Sequence, residues 1–283
     1  MSTLDRDFSA YSTIRVDFED RIATVAFNRP EKRNAMNPEL HREMLDVLTR
    51  LQFDPDVRVL VVTGVGESFS SGMDLKEYFR DLEDDQEQRD LYRHMSDEWG
   101  DRMLRMYAKP TIAMVNGYCF GGAFTIVAAC DIAVAADEAV FGLSEVNLGF
   151  MPGGMVAKSV ASLLPLRDAV YFAMTGEQFD GRRAAEMRFV NRSVPRSRLR
   201  EVVNELALRL AALDPTAVKA SKESVKQVRD MSNEEASAYL AAMHNDLNWR
   251  HYKQGLEGLG VDMFLAKKYR PGVSSYTKAK PED

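Results

Sequence analysis

Ile14, Val16 and Phe18 alternate with polar residues, and after a Glu19-Asp20 turn the run Ile22 to Phe27 repeats the strand signal, so the chain opens on a predicted hairpin. Asn37 followed by Pro38 marks a helix start, because an asparagine side chain can cap free N–H groups and a proline there loses no hydrogen bond. Leu40, Met44, Val47, Leu48 and Leu51 then recur at helical spacing. The unbroken apolar run Val57 to Thr63 follows, of the kind buried on both faces of a sheet. A β-α-β unit results.

The pattern recurs. A long amphipathic segment carrying Leu91, Met95, Trp99, Met103 and Met106 leads into a short apolar strand, Thr111 to Val115, then into Asn116-Gly117 and a glycine-rich turn that opens a helix. Ile132 to Ala135 and Ala139 to Gly142 read as two more strands, and Val190 to Val194 as a late one before Pro195. Strands alternating with helices imply an α/β fold with a mostly parallel sheet and right-handed crossovers. Past Pro195 the strand signal nearly vanishes, and helices are predicted at about Leu199 to Leu213, Ala217 to Val228 and Asn233 to Gly255. The expected organisation is a core over residues 1–195, a helical region over 196–265 and a flexible basic tail over 266–283.

Composition narrows the classes. With 283 residues, 45% of them hydrophobic, the chain can bury a sizeable core. No apolar run approaches the roughly 20 residues that span a bilayer. The start MSTLDRDFSAY lacks the basic and apolar regions of a secretory signal, so a cytoplasmic protein without membrane partners is expected. A net charge of −6 argues against a general nucleic-acid surface, with Lys32-Arg33 and Lys267 to Arg270 as local basic patches. The run Asp81 to Asp90 reads as a solvated helix face or a mobile loop. Cys119 and Cys130 sit in one apolar segment without partner histidines, so buried free thiols are expected rather than a metal site.

Candidate chemistry is sparse. His41, His94, His244 and His251 lie away from any glycine-rich turn, which leaves a Ser-His-Asp hydrolase unsupported, and neither phosphate-binding glycine fingerprint occurs. Two other turns stand out: Phe69 through Gly72, Met73 and Asp74 to Tyr78, and Asn116-Gly117 through Gly121-Gly122-Ala123. In each a strand ends, glycine permits a tight turn and a helix starts, leaving main-chain N–H groups able to hold an anion. Two such donors converging would form an oxyanion hole; the alternative is that each glycine merely tightens a crossover. Glu145 is the acid beside an apolar turn, flanked by Leu143, Val146, Leu148 and Phe150. Desolvation there would raise its pKa and suit it to moving protons, unless it is a capping or salt-bridged surface residue.

Four segments in order, Asn28-Arg-Pro-Glu-Lys-Arg-Asn-Ala35-Met36, Ser71-Gly-Met-Asp74, Gly117 to Asp131, and Phe141-Gly-Leu-Ser-Glu145 followed by Gly149 and Pro152, resemble the crotonase (enoyl-CoA hydratase/isomerase) superfamily across about residues 12 to 265. The resemblance implies a crotonase fold, a spiral of ββα units with C-terminal helices that assemble trimers or dimers of trimers, and acyl-CoA thioester substrates. It places the oxyanion donors at the N–H groups of Met73 and Gly122. Hydratases of this superfamily use two glutamates, and the matching positions here are Thr125 and Glu145. Stretches such as NRPEKRNAM, GMDLKEYFR and LRMYAKPTIAMVNG are similar to the hydroxycinnamoyl-CoA hydratase-lyase branch, which carries a serine at the position of Thr125.

That likeness implies hydration of feruloyl-, p-coumaroyl- or caffeoyl-CoA and retro-aldol cleavage to an aromatic aldehyde, such as vanillin, and acetyl-CoA. It implies no metal or redox cofactor, since coenzyme A is part of the substrate. Tyr78 and Tyr239 are implied at the phenol, with Tyr239 contributed by the same or a neighbouring subunit. CoA is implied along Lys32, Arg33, Ala35, Ser71, Met73, Asp74, Leu75, Gly122, Ser144, Leu148 and Gly153. Leu148 stands where a tryptophan is expected and Met151 where a proline is. Two alternatives remain: a single-glutamate hydratase or isomerase acting on another acyl-CoA, and a non-catalytic RNA-binding or scaffolding member, which the acidic balance disfavours.

Overall fold

The computed structural model describes residues 6–272, 274, 275 and 277. Strands β1 (Ile14–Glu19) and β2 (Ile22–Phe27) form the predicted antiparallel hairpin, with Asp20 and Arg21 both at positive φ in its two-residue turn. Helix α1 (Pro38–Phe53) starts where expected: the Asn37 side chain accepts the Leu40 N–H at 3.0 Å, and Leu40, Met44, Val47, Leu48 and Leu51 are buried. There follow β3 (Val59–Gly64), β4 (Ser68–Ser70), α2 (Gln86–Asp97), β5 (Thr111–Val115), β6 (Tyr118–Phe120), α3 (Ala123–Ala129), β7 (Ile132–Ala136) and β8 (Val140–Gly142). The chain continues through α4 (Val156–Leu163), α5 (Leu166–Thr175), β9 (Gln178–Asp180), α6 (Gly181–Glu186), β10 (Arg192–Val194) and α7 (Arg196–Ala211). It then runs through α8 (Pro215–Val228), α9 (Asn233–Lys253) and α10 (Leu259–Leu265).

Two sheets share these strands. One runs β1-β2-β3-β5-β7-β10 and is parallel from β2 onward; the other runs β4-β6-β8-β9, with β4, β6 and β8 parallel and β9 antiparallel. Successive strands therefore alternate: β3, β5 and β7 go to the large sheet, and β4, β6 and β8 each follow into the small one. This is the predicted α/β spiral, with a second sheet that strands of three residues were too short to announce. Phe124, Phe141, Phe179 and Phe189 pack together, with Phe141 stacked on Phe179 at 5.4 Å and Phe124 against Phe189 at 4.9 Å. Cys119 and Cys130 are buried and not joined in a disulfide, as expected.

One expectation shifts. Leu91 and Met106 are exposed although they continue the apolar stripe of Trp99, which is fully buried. After α2 the helix widens into a π turn over Glu98–Met103, and the extra residue rotates the stripe away from ideal helical phase. The chain forms one compact unit of residues up to Tyr107 with Thr111–Ala207, and a second of Ala108–Pro110 with residues from Leu208 on. Leu199, Val202, Val203 and Ala207 of α7 are buried in the first unit, so that helix straddles the boundary.

Within the second unit Asp214 caps α8, accepting the Thr216 and Ala217 N–H groups, and Ser232 with Glu235 forms a capping box on α9. In the described part of the tail the Tyr269 hydroxyl donates to Gly260 O at 3.0 Å and the Thr277 hydroxyl to Ala212 O at 2.6 Å. The rest of the expected flexible tail, residues 273, 276 and 278–283, lies outside the described residues. Among the described residues no helix is long and apolar enough to cross a membrane.

Candidate active site

Because β4, β6 and β8 are neighbours in the small sheet, the turns that follow them lie side by side. Those turns carry Gly72-Met73, Gly121-Gly122 and Glu145. The two glycine turns singled out in the sequence thus meet through strand order, although about 50 residues separate them.

The first turn is braced from the loop before α1. Met36 N donates to Gly72 O at 2.8 Å and Asp74 N donates to Met36 O at 2.9 Å, an isolated parallel bridge between Met36 and Met73. Ser71 N donates to Arg33 O at 2.9 Å, and the Ser70 hydroxyl donates to Asn34 O at 2.8 Å while accepting the Gly72 N–H at 3.1 Å. Gly72 has φ +91°, and a Cβ there would lie 2.8 Å from Phe120 O and 3.4 Å from Gly122 N. Only glycine permits both that backbone and that approach. Asp74 caps the π turn Leu75–Arg80, its Oδ1 accepting the Lys76 and Glu77 N–H groups and its Oδ2 an Arg29 N–H. Burial alone would raise its pKa, but the hydrogen bonds from Glu77, Arg29 and Lys76 outweigh it and hold the carboxyl low.

The second turn leaves β6 with Gly121 at φ +49° and enters α3 with Gly122 as N-cap. Among the described residues neither the Met73 N–H nor the Gly122 N–H donates to a main-chain or side-chain acceptor. A Cβ on Gly122 would sit 3.5 Å from Met73 Cγ, which measures how closely the turns converge. Glu145 stands opposite on a 3-10 turn, Ser144–Leu148. Its Oε1 lies 3.2 Å from the place a Cβ on Gly121 would occupy, and its Oε2 is buried without a partner. Burial pushes its pKa above the usual carboxylate range. Glu145 is thus neither a cap nor a salt-bridged surface residue. Of the flanking residues named in the sequence, Leu143 is buried, whereas Val146, Leu148 and Phe150 are exposed.

The remaining residues divide. Thr125 sits on α3 one turn past Gly122, half-buried, its hydroxyl without a partner among the described residues. Tyr78, on the π turn, is half-buried with its ring edge-on to His41 at 5.7 Å, and burial raises its pKa. Lys32 and Arg33 are exposed on the loop whose carbonyls hold Ser71, and the Arg33 guanidinium lies over the Tyr118 ring at 5.0 Å. Ala35 is buried, Ser71 and Ser144 are half-buried, and Leu75, Leu148 and Gly153 are exposed. Tyr239 is half-buried on α9 of the second unit.

A model of the enoyl-CoA hydratase/isomerase family matches residues 17–270. The chain belongs to that family. Hydroxycinnamoyl-CoA hydratase-lyase of Pseudomonas fluorescens is 47% identical over 270 residues, covering 95% of this chain and 98% of that protein. (E)-Benzylidenesuccinyl-CoA hydratase of Thauera aromatica is 30% identical over 260 residues, covering 87% and 95%. A solved enoyl-CoA hydratase subunit from Geobacillus kaustophilus superposes with a TM-score of 0.81 at 28% identity, covering 92% of this chain and 97% of that one. The fold is therefore that of the enoyl-CoA hydratases, the crotonase fold, and the protein is an enzyme of that family.

In this enoyl-CoA hydratase-family enzyme the sequence reading overlooked a buried polar layer under the first turn. Arg29 Nη1 donates to Ala35 O at 2.6 Å and to Asp74 Oδ2 at 2.9 Å, and Nη2 donates to Glu77 Oε1 at 2.6 Å. Asn37 Nδ2 donates to Glu77 Oε2 at 2.6 Å. The signal lay in Asn28-Arg-Pro, where an arginine between a buried strand and a proline turn has no apolar period to follow. His41, one of the histidines set away from the glycine-rich turns, lies in the core, accepts the Trp99 indole N–H at 3.0 Å, and burial drives its pKa down to about 3, so it is a neutral imidazole.

Proposed function

We propose that this enzyme hydrates the double bond of 4-hydroxycinnamoyl-CoA thioesters and then splits the β-hydroxy thioester into an aromatic aldehyde and acetyl-CoA. The observation that carries the reading is a desolvated carboxylate, Glu145, set against two converging main-chain turns, and the resemblance puts Thr125 where two-glutamate hydratases have their other acid. The 47% identity to a hydroxycinnamoyl-CoA hydratase-lyase over nearly the whole chain supports the same choice.

The steps balance with one carboxylate. Glu145 takes a proton from water as its oxygen bonds to Cβ, and the electron pair moves to the thioester oxygen as an enolate. The Met73 and Gly122 N–H groups hold that charge, each contributing roughly 3 to 4 kcal/mol as in other oxyanion holes. Glu145 returns the proton to Cα. It then takes the β-hydroxyl proton, the Cα–Cβ bond breaks to aldehyde and acetyl-CoA enolate, and the carboxyl protonates the second enolate. Water is the sole co-reactant and no net redox change occurs. Lys32 and Arg33 are assigned to the CoA phosphates, and Ala35, Ser71, Leu75, Ser144, Leu148 and Gly153 to the CoA chain; Asp74 acts by holding its turn.

Incubation with feruloyl-CoA and p-coumaroyl-CoA tests this. The conjugated thioester absorbance is expected to fall with stoichiometric release of aldehyde and acetyl-CoA. Absorbance loss with a stable β-hydroxy thioester and no aldehyde or acetyl-CoA would remove the cleavage step, and no absorbance loss would leave a hydratase or isomerase of another acyl-CoA.

Phenol selection is assigned to Tyr78 and Tyr239. The Tyr78 hydroxyl has no partner among the described residues, which suits it to a substrate hydroxyl. Tyr78→Phe and Tyr239→Phe are each expected to reduce the preference for p-coumaroyl-CoA over cinnamoyl-CoA by about ten-fold, the loss of one hydrogen bond to a buried polar group. Unchanged preference ratios contradict the assignment. Tyr239 is proposed to come from a neighbouring copy in a trimer or dimer of trimers, and the exposed Leu148, Phe150 and Met151 near Glu145 in sequence are apolar enough for such a contact. A monomeric mass by sedimentation removes Tyr239 from that role.

A further inference from the structure

We infer that Arg29 is a positioning residue for the main-chain donor of Met73, an inference that rests on the two-donor reading above. Its side chain is 9% exposed and its guanidinium meets three acceptors: Ala35 O, Asp74 Oδ2 and Glu77 Oε1. Ala35 and Asp74 flank the bridge between Met36 and Met73, one on each strand. A single nitrogen, Nη1, bonds both of them, so Arg29 pins the two strands together beside the bridge. The bridge bonds run from Met36 N to Gly72 O and from Asp74 N to Met36 O. Main-chain groups alternate sides along an extended strand, so the Met73 N–H is turned away from Met36 and left free for a ligand. Arg29 sets the direction of that N–H without touching substrate.

The second arm extends the same control. Glu77 Oε1 accepts from Arg29 and its Oε2 from Asn37, the residue that caps α1. The π turn that carries Tyr78 is therefore tied to the start of α1 and to the Met73 turn through one guanidinium. A planar fork with fixed donor directions fits three acceptors on two loops; an ammonium on a flexible stem keeps the charge but not that geometry. A displacement of about 1 Å in a reacting group costs on the order of 100-fold in rate.

Arg29→Lys and Glu77→Gln test the inference, the latter a carboxylate with a 36% exposed side chain whose loss the fold tolerates better. Turnover of a conjugated enoyl-CoA is measured together with the red shift of its absorbance on binding, which reports polarisation of the thioester carbonyl by the two N–H donors. For Arg29→Lys, kcat is expected to fall roughly 10- to 100-fold with KM within about three-fold of wild type, and the red shift to shrink. Glu77→Gln is expected to show the same pattern more weakly, and it decides the matter if Arg29→Lys does not fold. Loss of activity that only follows the folded fraction, with kcat per folded site and red shift intact, overturns the inference. A wild type that shows no red shift defeats the two-donor reading itself, whereas a wild-type shift retained by both variants defeats only the role of Arg29.

Discussion

Glu145→Gln is expected to lower turnover by about three orders of magnitude while leaving the protein at least as stable as before. The loss follows from one carboxylate serving as base and acid in both halves of the reaction. The stability gain follows from burial. The Glu145 pKa is raised on folding, so the folded state holds its proton more tightly than the unfolded chain. Folding is therefore disfavoured as pH climbs past the unfolded value, and the penalty is complete above the folded one. Glutamine removes a charge whose Oε2 has no buried partner. At pH 7 the variant should melt at or above the wild type, and the gap should close as pH falls into the ordinary carboxylate range. The wild-type kcat/KM should fall on the acid side at a pH above that of an ordinary glutamate. A variant that melts earlier than wild type at pH 7, or keeps a tenth of its turnover, contradicts the assignment.

Gly72→Ala is expected to damage both main-chain turns at once. A left-handed backbone costs a residue with a side chain roughly 1 to 2 kcal/mol, and the new Cβ would also press on Phe120 O at 2.8 Å. A total loss of about 2 kcal/mol or more corresponds to a melting temperature lower by roughly 4 to 8 °C. Because the Cβ would sit 3.4 Å from Gly122 N, relief of the clash separates the two donors, and turnover should drop about 100-fold or more. Gly66→Ala is the comparison. Gly66 has φ +78° but meets only Pro30 Cβ at 3.4 Å, so it carries the backbone strain without disturbing the turns. Similar melting with near-normal turnover at Gly66, against lost turnover at Gly72, separates strain from site geometry; equal turnover in the two variants would remove the special place of Gly72.

Much of this was legible in the residues. The hairpin, the Asn37 cap, the buried strand at Val59–Gly64 and three of the four C-terminal helices, α7, α8 and α9, follow from period and capping chemistry, which are local, whereas the seven-residue α10 was not foreseen. The small sheet was only half legible. Ser68–Ser70, Tyr118–Phe120 and Gln178–Asp180 hold three residues each, too few to show a period of two, and their pairing partners are distant in sequence. Polar burial was hidden for another reason. Glu43 is fully buried on the apolar side of α1, where its carboxylate accepts the main-chain N–H and hydroxyl groups of Ser12 and Thr13. Arg29 is likewise reconciled with the interior by distant acceptors. Hydrophobic patterning cannot reveal a polar residue whose partners lie 30 to 50 positions away.

The alternation of strands between two sheets has a consequence for how the protein comes into being. Each of β4, β6 and β8 follows a strand of the large sheet, so the Met36 bridge, the two glycine turns and Glu145 come together only across the whole span from residue 36 to residue 145. During synthesis, half of the polypeptide must have left the ribosome before the carboxylate exists to face the two turns, and most strand contacts made by then join distant segments. A chain that stops short of Glu145 therefore carries both main-chain turns but not the carboxylate that faces them.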